Sequence, residues 1–328
     1  MDKAKPSRNL AMDLVRVTEA AALSAGRFMG RGDKEGGDQA AVDGMRYMLN
    51  TIDMDAVVVI GEGEKDEAPM LFNGENLGTG VAPKVDLAVD PIDGTTLLAK
   101  GRPNSIATVA ISPRGSMYNP GPFVYMHKIA VGPRARGVID IEKPVKDNLV
   151  AIAKAVEKNI QDLTVIILDR ERHIDLITEI RSYGVRTRQI SDGDVAGALM
   201  TARPDSGIDV LLGIGGTPEG VLAACALRAM GGEIQGKLYA RNDEELRLGQ
   251  EMEYDFNKVL TMDDLVASDD VFFAATGITD GELLRGVKYF GDGASTDSLV
   301  IRGATGTVRQ IFATHSLDKL RKISEIRY

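Results

Sequence analysis

The first 137 residues combine one long helical pattern with several short apolar runs. Between residues 9 and 30, apolar positions recur at helical spacing, which predicts a helix that ends at Gly30 and Gly32. Residues 113–137 are rich in Pro and Gly, which predicts turns or short pieces. The other elements expected here are a helix over 38–49 with Asp38 at its N-cap, and strands over 57–60, 85–89 and 105–111.

From about residue 148 the chain alternates between helical and strand-like segments. The expected helices cover 148–159, 172–183, 194–202 and 217–230, and the expected strands cover 164–168, 185–190, 208–212, 271–276, 298–302 and 307–312. This rhythm predicts a largely parallel sheet covered by helices. The predicted fold class is therefore α/β in α+β layers, with an N-terminal subdomain at 1–155 and a C-terminal subdomain at 156–328.

Composition narrows the classes of function. A chain of 328 residues exceeds what one hydrophobic core usually serves, and 44% hydrophobic with 27% charged residues is typical of a globular protein. The net charge of −9 argues against a nucleic-acid or anionic-membrane partner. A single cysteine, the lack of an apolar signal core and the lack of a membrane-length apolar run favour a cytoplasmic protein.

Carboxylates follow two of the predicted strands. Glu62 and Glu64 come after the first of them, and Asp90 and Asp93 come after the second, in D-P-I-D-G-T-T. Crowded carboxylates repel one another unless cations neutralise them, and oxygen ligands select Mg²⁺, Mn²⁺ or Ca²⁺ over zinc. The alternative is a surface turn, since Asp, Pro and Gly favour turns for local reasons.

The next residues and four other polar groups each have a binding role and a structural role open to them. Thr95 and Thr96 are expected to begin a helix whose free N–H groups meet a phosphate. For Lys34 with Asp38 the structural alternative is a solvated loop and an N-cap, and for Arg170 with Arg172 it is a solvated helix start. For Asp192 with Asp194 the alternative is helix capping, and for Glu219 it is a favourable interaction with a helix dipole.

The motifs together resemble a known family. G-E-G-E followed by D-L-A-V-D-P-I-D-G-T-T is similar to the lithium-sensitive, metal-dependent sugar-phosphatase superfamily, which includes inositol monophosphatase. The stretches D-R-E-R-H, I-S-D-G-D-V-A-G-A and G-I-G-G-T-P-E-G-V resemble one branch, the bacterial class II fructose-1,6-bisphosphatases. The resemblance extends over about residues 14–286 and implies the sugar-phosphatase fold.

The resemblance also implies the site. Metal ligands, for two or three Mg²⁺ or Mn²⁺ ions, are implied at Asp38, Glu62, Asp90, Asp93 and Glu219. Catalytic roles are implied for Thr95, Asp38, Glu62 and Asp90. Substrate contacts are implied at Lys34, Asp93, Gly94, Thr95, Tyr125, Arg170, Glu171, Arg172, Asp192, Gly193, Asp194 and Gly216, with Glu64 and Asp66 nearby. Asp93 departs from the branch, many of whose members carry Glu there.

The implied activity is hydrolysis of D-fructose 1,6-bisphosphate to D-fructose 6-phosphate in gluconeogenesis, by a homodimer or homotetramer. One alternative is a related phosphatase acting on sedoheptulose 1,7-bisphosphate or an inositol phosphate. The other is a sugar-phosphate sensor without catalysis.

Overall fold

The computed structural model describes residues 9–62, 71–326 and 328. Its α-helices are α1 Ala11–Ala25, α2 Lys34–Leu49, α3 Thr95–Ala99, α4 Val145–Val156, α5 Ile174–Ser182, α6 Asp194–Thr201, α7 Thr217–Met230, α8 Asp243–Glu251, α9 Met262–Leu265 and α10 Leu317–Ile323. Its strands are β1 Asp55–Ile60, β2 Asn76–Leu77, β3 Lys84–Asp93, β4 Ile106–Pro113, β5 Tyr125–Val131, β6 Thr164–Leu168, β7 Arg186–Ile190, β8 Val210–Gly216, β9 Glu233–Leu238, β10 Phe272–Gly277, β11 Lys288–Phe290, β12 Gly293–Arg302 and β13 Thr307–Ser316.

The strands form two mixed sheets. The first has the order β11-β12-β10-β4-β3-β1-β2, with β13 also paired to β12, and the second has the order β7-β6-β8-β5-β9. In the first sheet β1 and β3 are parallel, and the other described pairs are antiparallel. In the second sheet β6 is parallel to β7 and β8, whereas β5 is antiparallel to β8 and β9. The expected largely parallel sheet was therefore wrong, because β5 joins the second sheet antiparallel to both β8 and β9, and β10 to β13 join the first sheet antiparallel.

Helices and sheets alternate in five layers. Helices α1 and α2 pack on one face of the first sheet, and α4 and α5 pack on the outer face of the second. Helices α6 and α7 lie between the two sheets and contact both. The small side chains in the middle of α7, including the buried Cys225, let the sheets approach this helix closely on two sides. The α/β layered fold class is confirmed.

Several element boundaries differ from those expected. Strand β5 lies in the region expected to form turns, because Pro and Gly concentrate before its start and after its end. Helix α2 begins at Lys34, and its N-cap is Asp33, whose side chain accepts a hydrogen bond from the Gly36 N–H; the expectation of Asp38 as N-cap was wrong. The first helix ends at Ala25 and continues as a short 3₁₀ turn to Phe28.

The sheets are not contiguous halves of the chain. Strands β10–β13 return to the first sheet, and residue 155 lies in the last turn of α4. A subdomain division at 155/156 stays a proposal, which limited proteolysis would test. Within the described residues, every helix is too short or too polar to cross a membrane.

Candidate active site

The end of β3 carries two acidic residues at an irregularity of the strand. Four residues of β3, from Asp90 to Asp93, lie opposite only three residues of β4, from Thr108 to Ile106. In a regular strand an odd spacing would send the two side chains to opposite faces, and the extra residue lets both reach one site. The Asp90 carboxylate accepts a hydrogen bond from Ile92 N–H at 3.0 Å, and the Asp93 carboxylate accepts one from Ala196 N–H at 3.1 Å. Asp93 is thereby tied to α6.

Gly94 turns the chain from β3 into α3. Its φ of +95° lies in the left-handed region, and a Cβ there would lie 2.9 Å from the Leu97 side chain. Helix α3 begins at Thr95, as expected. The Thr96 N–H is not free for a phosphate, because it donates to the Asp192 carboxylate at 3.3 Å.

The first two turns of α2 approach α3. Asp38 lies in the second turn, where its carboxylate accepts a hydrogen bond from the Thr95 hydroxyl at 3.1 Å. Lys34 donates to the Thr96 hydroxyl at 2.9 Å. Burial raises the pKa of Asp38, while the Thr95 hydrogen bond and the Lys34 charge oppose that rise. The structure therefore brings Lys34, Asp38 and Thr95 together.

Glu62 and Glu219 reach the same region from β1 and α7. Glu62 follows the end of β1, and Glu219 lies in the first turn of α7, directly after β8. Burial, then Asp38 and Glu219, raise the pKa of Glu62 to about 7. Burial, then Asp194, raise the pKa of Glu219 to about 7 against the opposing charge of Lys128. A Cβ on Gly216 would collide with the Glu219 carboxylate, so any side chain at this position would displace that carboxylate.

The loop before α6 supplies the next acidic residues. Gly193, with φ of +83°, is the N-cap of α6 between Asp192 and Asp194. Asp194 is buried and forms an ion pair with Lys128 of β5, with 2.8 Å between Oδ2 and Nζ. Lys128 also donates to the Gly216 carbonyl at 3.0 Å. One buried cation thus links β5, α6 and the β8–α7 junction.

The carboxylates form one mutually repelling group. Burial, then Asp93, Glu62 and Glu219, raise the pKa of Asp90 well above its usual range. Burial, then Asp194, raise the pKa of Asp93 well above its usual range, and Glu219 contributes to that rise. A hydrogen bond from the Ala196 N–H opposes the rise at Asp93. Burial is the largest cause of each rise and the neighbouring carboxylates add to it, and a bound cation would oppose both effects.

Positive and aromatic side chains gather at one end of the inner strands β6, β8 and β5 of the second sheet. Arg172 lies in the 3₁₀ turn Glu171–His173 after β6, and its guanidinium donates to the Ile214 carbonyl at 2.8 Å and 3.2 Å. The Tyr125 ring at the start of β5 lies 5.3 Å from the Arg172 guanidinium and 5.5 Å from that of Arg241. Glu171 in this turn and Arg170, its N-cap residue, are exposed.

Comparison with known proteins identifies the family. A family model described as bacterial fructose-1,6-bisphosphatase, glpX-encoded, matches residues 8–315. Fructose-1,6-bisphosphatase 1 class 2 of Escherichia coli strain K12 is 47% identical over 325 residues, covering 95% of this chain and 96% of that protein. Fructose-1,6-bisphosphatase class 2 of Shigella flexneri matches to the same extent. The chain belongs to the bacterial class II fructose-1,6-bisphosphatase family.

A solved structure of an extragenic suppressor from Pyrococcus furiosus covers 58% of this chain and 68% of its own. Its TM-score is 0.29 at 13% identity, which is too distant a likeness to support any inference.

Family membership brings dependence on a divalent metal. Among residues 9–62, 71–326 and 328, no three Asp, Glu, His or Cys side chains already converge at metal-binding distance. The donors nevertheless fit a hard cation, because they are carboxylates without His or Cys and they raise one another's pKa.

The structure brings together most of the residues that the motifs indicated, and it adds two. Glu64 and Asp66 lie outside the described residues. Lys128 and Arg241 escaped the sequence analysis. A lysine within the apolar run of β5 was a signal for Lys128, since lysine is almost never buried unless paired. No local pattern marked Arg241, which reaches Tyr125 only through the pairing of β5 with β9.

Proposed function

We propose that this family member hydrolyses D-fructose 1,6-bisphosphate to D-fructose 6-phosphate and phosphate, a step of gluconeogenesis. The observation that carries the proposal is that β8 joins two groups of side chains. Arg172, which lies beside Tyr125 in the arginine end, donates to the Ile214 carbonyl of β8. Glu219, which belongs to the repelling carboxylate end, lies in the first turn of α7 directly after β8. Two relatives that share 47% of residues along nearly the whole chain are named for this activity.

The carboxylate end is proposed to hold two or three Mg²⁺ or Mn²⁺ ions. The ligands would be Asp38, Glu62, Asp90, Asp93 and Glu219. When bound, such ions supply an activated water and offset the charge of the phosphate that is cleaved. Asp93 is shorter than the Glu common in the family, and its tie to Ala196 N–H fixes one carboxylate oxygen and leaves the other for a ligand.

Thr95 is proposed to orient the attacking water. Its hydroxyl donates to Asp38, so its lone pairs remain available to accept a hydrogen bond from a water. Asp38 is then connected to that water through the Thr95 hydroxyl and can accept a proton from it by way of that hydroxyl. Gly94 keeps the approach to the phosphate free of side-chain bulk, which positions the reacting group close to the backbone.

The arginine end is proposed to bind the phosphate that is not cleaved. Guanidinium groups bind phosphate through two parallel N–H donors, and Arg172 and Arg170 are the residues proposed to do so. Tyr125 supports Arg172 by stacking. Glu171, Asp192, Gly193, Asp194, Gly216 and Lys34 are proposed to contact the rest of the substrate.

The first test is phosphate release from four substrates with Mg²⁺, with Mn²⁺ and with EDTA. The substrates are fructose 1,6-bisphosphate, sedoheptulose 1,7-bisphosphate, fructose 1-phosphate and inositol 1-phosphate. We expect metal-dependent release that is fastest from fructose 1,6-bisphosphate. Faster release from inositol 1-phosphate would contradict the role of the arginine end, and tight binding without release would indicate a sensor.

Arg172→Ala tests the arginine end separately. A charge-assisted hydrogen bond contributes about 1.5–3 kcal/mol, so kcat/KM for the bisphosphate should fall by about 10- to 150-fold, mainly through KM. Release from fructose 1-phosphate, which lacks the second phosphate, should change little. Arg181→Ala, on the exposed face of α5, is the matched control. An equal loss of kcat/KM with both substrates would contradict the assignment of Arg172 to the phosphate that is not cleaved.

The resemblance also supports a homodimer or homotetramer and a cytoplasmic location. Light scattering tests the assembly, and cell fractionation tests the location.

A further inference from the structure

Within the part of the chain that the structure describes, strand β13 leaves one long edge unpaired. Its ten residues pair with β12 without a register shift, from Thr307 opposite Arg302 to Ser316 opposite Gly293. No other described strand pairs with β13. Such an edge presents a row of N–H and C=O groups, and a further β-strand is the structure that satisfies that row best.

The usual protections of an edge strand are missing from β13. Its sequence, T-V-R-Q-I-F-A-T-H-S, contains no proline, glycine or lysine, and the strand has no bulge. Two apolar side chains on the same face are left in solvent, with Val308 44% and Phe312 64% exposed. A monomer that kept this edge open would be prone to aggregation.

Charge points to a second copy of this chain as the occupant. The chain carries a net charge of −9, so two copies repel over most of their surfaces. Strand β13 has no acidic residue, and Arg309 is its one residue with a permanent charge. This edge is therefore a place where two acidic molecules can meet without opposing like charges, provided that the two Arg309 side chains are not opposite each other.

We propose that β13 pairs antiparallel with β13 of a second copy about a two-fold axis, joining the two first sheets into one. If the two-fold axis is perpendicular to the sheet, each residue lies opposite a residue whose side chain points to the same face of the sheet, so the pairing is centred on one residue. Centred on Gln310, this pairing places Val308 opposite Phe312, which buries both exposed apolar residues, and Arg309 opposite Ile311. Centred on Arg309, it would oppose two arginines.

This proposal rests on β13 and not on the proposed activity. Strands β12, β10 and β4 separate β13 from β3, which carries the active-site carboxylates. Four strand spacings at about 4.8 Å amount to roughly 19 Å. Loss of the interface should therefore leave phosphate release nearly unchanged, and the two proposals can fail independently.

The first test compares two double variants by size-exclusion chromatography with light scattering. In Val308→Lys/Phe312→Lys, lysine opposes lysine across the interface, and the assembly mass should fall to half that of wild type. In Val308→Glu/Phe312→Lys, glutamate opposes lysine, and the wild-type mass should return. Wild type that is monomeric, a lysine pair that leaves the mass unchanged, or a glutamate–lysine pair that does not restore it would each overturn the proposal.

A cysteine tests the register directly. Residues opposite each other in antiparallel strands have Cα atoms about 4.5–5.5 Å apart, within the range that a disulfide bridges. Gln310→Cys should therefore form a covalent dimer under mild oxidation, seen on a non-reducing gel. Wild type should form none, because its single Cys225 is buried. Absence of the Gln310→Cys dimer would refute the pairing centred on Gln310.

Discussion

The buried pair of Lys128 and Asp194 predicts a large and specific loss of stability. Their side chains are 3% and 7% exposed, and Lys128 Nζ lies 2.8 Å from the Asp194 carboxylate. Lys128→Met removes the cation and leaves Asp194 buried beside Asp93 and Glu219, whose pKa values its charge already raises. The variant also loses the hydrogen bond to the Gly216 carbonyl, next to Glu219.

The size of the effect follows from the burial. Removing one partner of a buried ion pair costs about 3–5 kcal/mol, because an uncompensated charge stays in a medium of low dielectric constant. At ~2.1 cal/mol/K per residue, unfolding of this chain carries an entropy of about 0.7 kcal/mol/K. The midpoint of thermal unfolding should therefore fall by about 4–7 °C, measured in EDTA so that metal binding does not contribute.

A double-mutant cycle decides whether the pair is the cause. Asp194→Asn in the Lys128→Met background replaces the pair by neutral groups and should recover at least about 1 kcal/mol of the free energy of unfolding. Lys237→Met on the neighbouring β9 is the matched control, because its partner Glu142 is 56% exposed, and it should cost less than about 1 kcal/mol. Single variants whose effects add within about 0.5 kcal/mol would refute the reasoning.

Two further predictions concern acidic residues. Asp90→Asn should lower kcat by more than about 100-fold, since even the loss of a residue that only hydrogen-bonds to a metal ligand costs about 10–100-fold. The midpoint of thermal unfolding in EDTA should not fall, because the substitution removes a repelling charge. Near-normal turnover would contradict the assignment of Asp90 as a metal ligand. Burial raises the pKa of Glu19 from 4.5 to about 6, so its contribution to stability is present below pH 4.5 and is lost as the pH rises through 6. Glu19→Gln should therefore gain about 2 kcal/mol in urea unfolding at pH 8 and nothing at pH 4; an equal change at both values would exclude this cause. The exposed Glu251→Gln on α8 is its control.

Local patterns predicted the elements that make their own hydrogen bonds or are buried on both faces. The strand over 164–168 matches β6 to the residue, and the helix from Asp194 begins where α6 begins. Strand β5 was missed because its apolar run follows a Pro- and Gly-rich stretch and contains Lys128, which is stable there only through Asp194. In the sequence a lysine interrupts an apolar pattern, because the partner that allows its burial comes from a distant part of the chain.

The relative direction of the strands was also predicted wrongly from the sequence. Alternation of helices and strands predicts parallel pairing when each helix crosses from one strand to its neighbour. Here that holds for β6, β7 and β8, while β5 and β9 join the same sheet antiparallel. Strands β10–β13 return to the first sheet over a long separation in the chain. No local spacing encodes such a return.

The sequence by itself determined which residues can do chemistry and the family to which they belong. Carboxylates after strands, Gly94 and the D-R-E-R-H stretch carry that information because they occupy short contiguous motifs. Only the tertiary structure decided how these motifs meet: a bulge in β3 turns Asp90 and Asp93 to one site, and Lys128 from a separate sheet holds Asp194 beside them. The physical reason is that repulsion among carboxylates and the burial of one lysine depend on distances between segments far apart in the chain. Those distances exist only once the five layers have packed.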